Sequence, residues 1–145
     1  LLAGIPRGLP GLLRAYRIQE RAAKVGFDWP HGDPSPVIAK VEEELNELKD
    51  CIANGAAQEA TEEELGDLLF AVANLSRHLK ADPEITLHKA CVKFSERFRK
   101  VEEEVSLSGK EWSDFTLDEL EDFWQKAKRQ DNGETVGLQS NVKQL

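Results

Sequence analysis

Apolar residues recur every three or four positions through three long stretches of this chain, and helix-start and helix-stop residues bracket each stretch. Val37, Ile38, Val41, Leu45, Leu48 and Ile52 make one stripe. Leu65, Leu68, Leu69, Val72, Leu75 and Leu79 make a second, and Leu87, Ala90, Cys91, Phe94, Phe98, Val101 and Val105 a third. A 3.6-residue period is the signature of a helix with one buried face. No stretch alternates with period two and no internal repeat is present, so the fold class is all-α. The expected architecture is a bundle of about five helices.

The punctuation sets the boundaries. A first helix is expected over Leu12–Val25, stopping at Gly26, the usual residue past a helix end. Phe27-Asp28-Trp29-Pro30 and the residues to Pro36 form a turn-rich loop. Ser35-Pro36 marks the start of the second helix, which runs to about Ala53 before Asn54-Gly55. Thr61-Glu62-Glu63-Glu64 fits a capping box and opens a third helix, ending near Lys80. Asp82-Pro83 opens the fourth, to about Ser108. Thr116 to Glu119 is a second capping box, opening a fifth to about Arg129. Residues 1–10 read as a linker, 11–130 as one domain, and 131–145 as a polar disordered tail. The chain has no Met, so residue 1 is not an initiator and the sequence is expected to be part of a longer protein.

Acidic residues number 27 of 145 and the net charge is −8. That balance argues against a nucleic-acid or anionic-membrane partner, both of which need a basic surface. It leaves room for an anionic small substrate, because a bound metal reverses the sign of one pocket. No apolar run reaches membrane-spanning length. Cys51 and Cys91 lack a CxxC pairing and read as reduced core residues of a cytoplasmic protein.

The acids are not spread evenly. On the second helix Glu44 falls roughly 60° from the centre of the apolar stripe, with Glu47 and Lys40 on the same flank and Glu43 toward water. On the third helix Glu64 lies at about the same offset, with Asp67 beside it. Both pairs have the i, i+3 spacing that makes neighbours of side chains. Carboxylates at the edge of a core are costly unless neutralised, and a hard divalent cation neutralises them most simply. The fourth helix carries Lys93 and Arg97 at i, i+4, a basic pair suited to phosphate oxygens. The competing reading is a solvated acidic face, since acid pairs are common in so acidic a chain. Glu64 also has a competing use, as the reciprocal residue of the Thr61 capping box; a helix starting near Glu59 would free it. A di-iron carboxylate bundle needs Glu-x-x-His pairs, and no histidine here follows a Glu at that spacing.

Glu43-Glu44-Leu45-Asn46-Glu47, then Glu64-Leu65-Gly66-Asp67, resembles the MazG family of nucleoside triphosphate pyrophosphohydrolases. The resemblance extends from the early RIQERAAKVGFDWP through KACVKFSERFRKVEEE to EDFWQKAK, most like the C-terminal domain of the two-domain form. It implies that Glu44, Glu47, Glu64 and Asp67 bind Mg²⁺, with Mn²⁺ a possible substitute. It implies that Lys40, Glu43, Lys93, Arg97 and Trp124 hold the nucleotide, Lys93 and Arg97 at phosphates and Trp124 near the base or sugar. It further implies a homodimer. Phe70 independently suggests a partner, since it lies about 170° from the stripe of its own helix. Relatives often have Asn where this chain has Cys91, and a thiol cannot replace the amide's hydrogen bonds.

The reaction expected is hydrolysis of a nucleoside triphosphate at the α–β bond to monophosphate and pyrophosphate, as nucleotide-pool house-cleaning. Glu43 or Glu47 would take the proton of the attacking water. Two alternatives stand beside it. One is a narrower nucleotidase resembling the all-α dUTPases and dCTPases. The other is a catalytically weak helical dimerisation or regulatory domain.

Overall fold

The computed structural model describes residues 1–131 and 133. It holds five α-helices and a single 3-10 turn, with no strand among the described residues. The helices are α1 (Gly11–Ala23), α2 (Ser35–Ala53), α3 (Gln58–His78), α4 (Pro83–Ser108) and α5 (Leu117–Asp131). The all-α expectation therefore holds. No described helix is long and apolar enough to cross a membrane. The tail expected from residue 131 lies, beyond Gly133, outside the described residues.

The chain divides into two compact units, Leu1–His88 and Lys89 onward, with α4 running through the division. In the first unit α3 packs against both α1 and α2. The α2–α3 turn closes as its sequence suggests: Gly55 has φ +63°, and the Ala56 N–H reaches back to the Cys51 carbonyl at 3.0 Å. A positive φ is open to Gly at little cost. The start of α1 has no cap of its own. The Glu84 carboxylate accepts the Leu12 and Leu13 N–H groups instead, at 3.1 and 3.3 Å. An anion at a helix N-terminus satisfies orphan donors and complements the dipole. At the other end Gly26, with φ +85°, turns the chain so that the Phe27 N–H meets the Ala22 carbonyl.

The third helix starts three residues earlier than the capping-box reading expects. Thr61 sits inside the helix, its hydroxyl bonding the Ala57 carbonyl one turn back at 3.3 Å. Glu64 is thereby released from any cap role. The Thr116 box does form: the Thr116 N–H donates to Glu119 at 2.8 Å and the Glu119 N–H to the Thr116 hydroxyl at 3.3 Å. The 3-10 turn Trp112–Asp114, which no sequence signal announced, carries a reciprocal box between Glu111 and Asp114.

In the second unit Val101 and Val105 of α4 and Ala127 of α5 are buried. Phe94 packs on Trp124 with ring centres 4.9 Å apart, and Phe98 on Trp112 at 5.7 Å.

The burial pattern corrects the stripe reading. On α3 the buried residues are Ala71, Ala73 and Asn74, whereas Leu65, Leu69 and Val72 are exposed. On α2 Val37 and Glu44 are buried and Leu45 and Ile52 are not. Small side chains let α3 approach its neighbours closely, so the row of large residues is turned outward. Cys91 is also exposed, contrary to the core role expected of it; both cysteines are free thiols.

Candidate metal and nucleotide site

Helix α2 places Glu44 and Glu47 one turn apart, and α3 brings Glu64 opposite them. One carboxylate oxygen from each of these three lies within 4.8 Å of the other two. Glu44 is buried, at 6% exposure, Glu64 is half-buried and Glu47 is exposed. Oxygens on one Mg²⁺ stand about 3 Å apart when adjacent and about 4 Å when opposite. The trio therefore fits a hard cation after a small closure. Asp67 is not part of that tight group, but it shares the wall of one cleft with Glu44.

The electrostatics fit the same cation. Lys40 ion-pairs with Glu44 at 2.6 Å and with Glu43 at 2.9 Å. Those two carboxylates, Glu44 first, hold the lysine well above its ordinary pKa. Glu64 moves the other way from a paired acid. Burial pushes its pKa up, and the neighbouring charges of Glu47, Asp67 and Glu44 push it further. Like charges gathered this closely are relieved by a cation.

The cleft that Glu44 and Asp67 border encloses about 550 Å³. Its walls are mostly apolar, with Ile18 and Ala22 from α1, Val37 from α2, Phe70 and Ala71 from α3, and Phe27 and Trp29 from the loop. Phe70, singled out in sequence for its isolation, thus has a use on this wall. Clefts of several hundred Å³ with a few polar groups are the usual form of small-molecule sites.

A second polar group on the cleft escaped the sequence reading. Asp28 receives both terminal nitrogens of Arg77, one at 2.8 Å to Oδ2 and the other to Oδ1. His78 Nε2 lies 3.0 Å from Asp28 Oδ1, and His31 Nε2 lies 3.6 Å from Oδ2. Arg77 in turn donates to Asn74 Oδ1 at 3.1 and 2.9 Å. The Arg77 guanidinium, followed by His78, holds the Asp28 carboxyl down to a pKa of about 2 despite its burial. This knot ties the Phe27–Trp29 loop to the C-terminal turn of α3. One signal was available: Asp67, Ala71, Asn74 and His78 continue a single helical face at i, i+4, i+7 and i+11.

The remaining sequence candidates lie in the second unit. Lys93 is exposed. Arg97 is paired with Asp131 at 2.7 Å, and Lys100 shares that carboxylate at 2.5 Å. Trp124 is half-buried against Phe94.

Residues 33–106 match the family model described as the MazG nucleotide pyrophosphohydrolase domain. The chain is similar to the nucleoside triphosphate pyrophosphohydrolase of Escherichia coli K12, with 47% identity over 131 residues, 90% of this chain and 49% of that protein. It is 48% identical over 120 residues to the nucleoside triphosphate pyrophosphohydrolase/pyrophosphatase MazG of Thermotoga maritima, covering 83% of this chain and 45% of that protein. A 65-residue stretch is 38% identical to the uncharacterised protein YabN of Bacillus subtilis, covering 45% of this chain and 13% of that protein. The chain spans about half the length of these two pyrophosphohydrolases.

Proposed function

This chain belongs to the MazG nucleotide pyrophosphohydrolase family, and on that premise we propose that it hydrolyses nucleoside triphosphates to monophosphate and pyrophosphate. The observation that carries the reading is the unbalanced carboxylate trio Glu44, Glu47 and Glu64 at the edge of an apolar cleft. Glu44, Glu47, Glu64 and Asp67 would hold Mg²⁺, or Mn²⁺ in its place, which when bound would supply charge neutralisation for the polyphosphate oxygens.

The chain's own residues do the rest. Lys40 keeps Glu43 and Glu44 in place through its two ion pairs. Glu43 or Glu47, both exposed, accepts the proton of the attacking water. Lys93 and Arg97 bind phosphate oxygens, Arg97 leaving Asp131 to do so, and Trp124 lies near the base or sugar. The outward rows of large residues on α2 and α3, including Leu45, Leu65 and Leu69, are covered by a second copy of the chain in a homodimer. The work of such an enzyme in a cytoplasm is house-cleaning of the nucleotide pool.

The direct test is product analysis with ATP and Mg²⁺. AMP and pyrophosphate in equal amounts are expected. Orthophosphate without pyrophosphate would place attack at the terminal phosphate and overturn the bond assignment. Light scattering should give twice the chain mass; a monomer would remove the dimer from the proposal.

A further inference from the structure

Asp131 sits where a helix tolerates an acid least. It is the last residue of α5, and the partial negative charge of a helix C-terminus repels a carboxylate. Two cations of α4 compensate. Arg97 Nε donates to Asp131 Oδ2 at 2.7 Å, and Lys100 Nζ to Oδ1 at 2.5 Å. Lys100 first, then Arg97, hold the carboxyl below its ordinary pKa, so it stays ionised at neutral pH. These bonds are not needed to seat α5 on α4. Lys126 of α5 pairs with Glu104 of α4 at 2.6 Å, and Trp124 packs on Phe94 with ring centres 4.9 Å apart. A local rule broken where the fold does not require it points to function.

Arg97 and Lys100 are i, i+3 neighbours, and Lys93 lies one turn before Arg97, so three cations share one face of α4. They are not equally open. Lys93 is exposed, whereas the Arg97 side chain is 16% exposed with the Asp131 carboxylate on it. A carboxylate and a phosphate oxygen compete for the same guanidinium donors. Each Asp131 oxygen has its own cation, so Arg97 can leave without stranding the acid: Lys100 keeps it. The exchange is cheap, because a partly exposed ion pair is worth about two- to fivefold in an equilibrium constant.

We propose that Asp131 sets the affinity for substrate: its carboxylate occupies Arg97 in place of a substrate phosphate, and Lys100 retains it when the triphosphate arrives. The inference rests on the reading above that Arg97 binds phosphate, and adds the group that competes for it. Every ligand that uses Arg97 is weakened by the same factor, a product included, so the exchange also speeds release. Asp131→Asn should raise kcat/KM for ATP about two- to fivefold, through KM rather than kcat. Asn is at home near a helix C-terminus, so the variant should fold. Calorimetric titration with Mg²⁺ and α,β-methylene-ATP, which cannot be cut at the α–β bond, should show tighter binding by the same factor. In an Arg97→Ala background the same substitution should change that affinity by less than about 1.5-fold, because the competition has gone. A KM that is unchanged or raised in Asp131→Asn overturns the proposal; a rise would mean that Asp131 aims Arg97 rather than occupies it. A gain that persists without Arg97 overturns it as well, as a general relief of negative charge. If the wild type makes no AMP and pyrophosphate from ATP, the reading of the reaction has failed, and the calorimetric comparison still reads the competition at Arg97.

Discussion

Helix α3 carries two charged groups roughly ten residues, or about 15 Å, apart along its axis, and they treat charge in opposite ways. Toward its N-terminal end, Glu64 and Asp67 join Glu44 and Glu47 of α2, with Lys40 as the cation paired into the group. Toward its C-terminal end, Arg77 and His78 close on Asp28, a carboxylate with cationic or polar partners on both oxygens. Glu64 is pushed above its ordinary pKa, whereas Asp28 is held down to about 2. A balanced group completes itself and ties chain segments together. An unbalanced one gathers like charge that a cation would relieve. The cleft lies against both, with Asp67 from one group and Asp28 and Arg77 from the other on its wall.

Breaking the balanced group should cost the most stability. Asp28→Ala leaves the buried Arg77 and His78 side chains, 9% and 2% exposed, without their anion. A loss of about 3–5 kcal/mol is expected in urea denaturation. A change below about 1 kcal/mol would mean that the knot is not a structural tie. The unbalanced group should behave in the reverse manner. Glu47→Gln and Asp67→Asn each remove an exposed charge with no ion pair among the described residues. Both should keep the unfolding free energy within about 0.5 kcal/mol while lowering Mg²⁺-dependent turnover at least about a hundredfold, as even supporting residues of metal sites cost up to that much. Either variant retaining full turnover would take that residue out of the site.

The two groups also differ in how far sequence reveals them. Glu44, Glu47, Glu64 and Asp67 are local pairs on two adjacent helices, so a helical wheel is enough to put each pair on one face. Glu64 alone was ambiguous, because Thr61 to Glu64 spells a cap that the helix overruns by starting at Gln58. Asp28 and Arg77 are 49 residues apart, and nothing periodic links a loop acid to a helix-end arginine. The stripes gave the helices correctly and their burial poorly. Periodicity shows that a helix has an apolar face, but it does not tell which neighbour covers that face, and α3 spends its small residues on α1 and α2 and turns Leu65 and Leu69 outward.

Acid should weaken the balanced group in a defined window. Asp28 has a folded pKa of about 2 against an ordinary 3.8. The unfolded chain therefore takes up the proton first, and the stability that Asp28 contributes is complete above about pH 4 and lost as pH falls toward about 2. The shift corresponds to about 2 kcal/mol. Asp28→Asn should remove that part of the acid sensitivity, and an unchanged acid limb in the variant would assign it to other carboxylates.

The smallest effect expected is of opposite sign. Glu64 has a raised folded pKa, so the folded metal-free protein holds the proton more tightly than the unfolded chain does. Its contribution is favourable at low pH and is lost as pH rises through the carboxylate range. Metal-free protein should therefore gain less stability than expected between acid and neutral pH, and Glu64→Gln should steepen that rise. Mg²⁺ binding to the folded state alone should offset the loss at neutral pH. At tenfold over Kd the gain is about 1.4 kcal/mol, and it should shrink in the variant because one ligand oxygen carries less charge. Thermal unfolding across pH, with and without Mg²⁺, reads both slopes on one protein. Identical Mg²⁺ gains in wild type and Glu64→Gln would show that Glu64 crowds the site without binding its cation, and the metal would then rest on Glu44, Glu47 and Asp67.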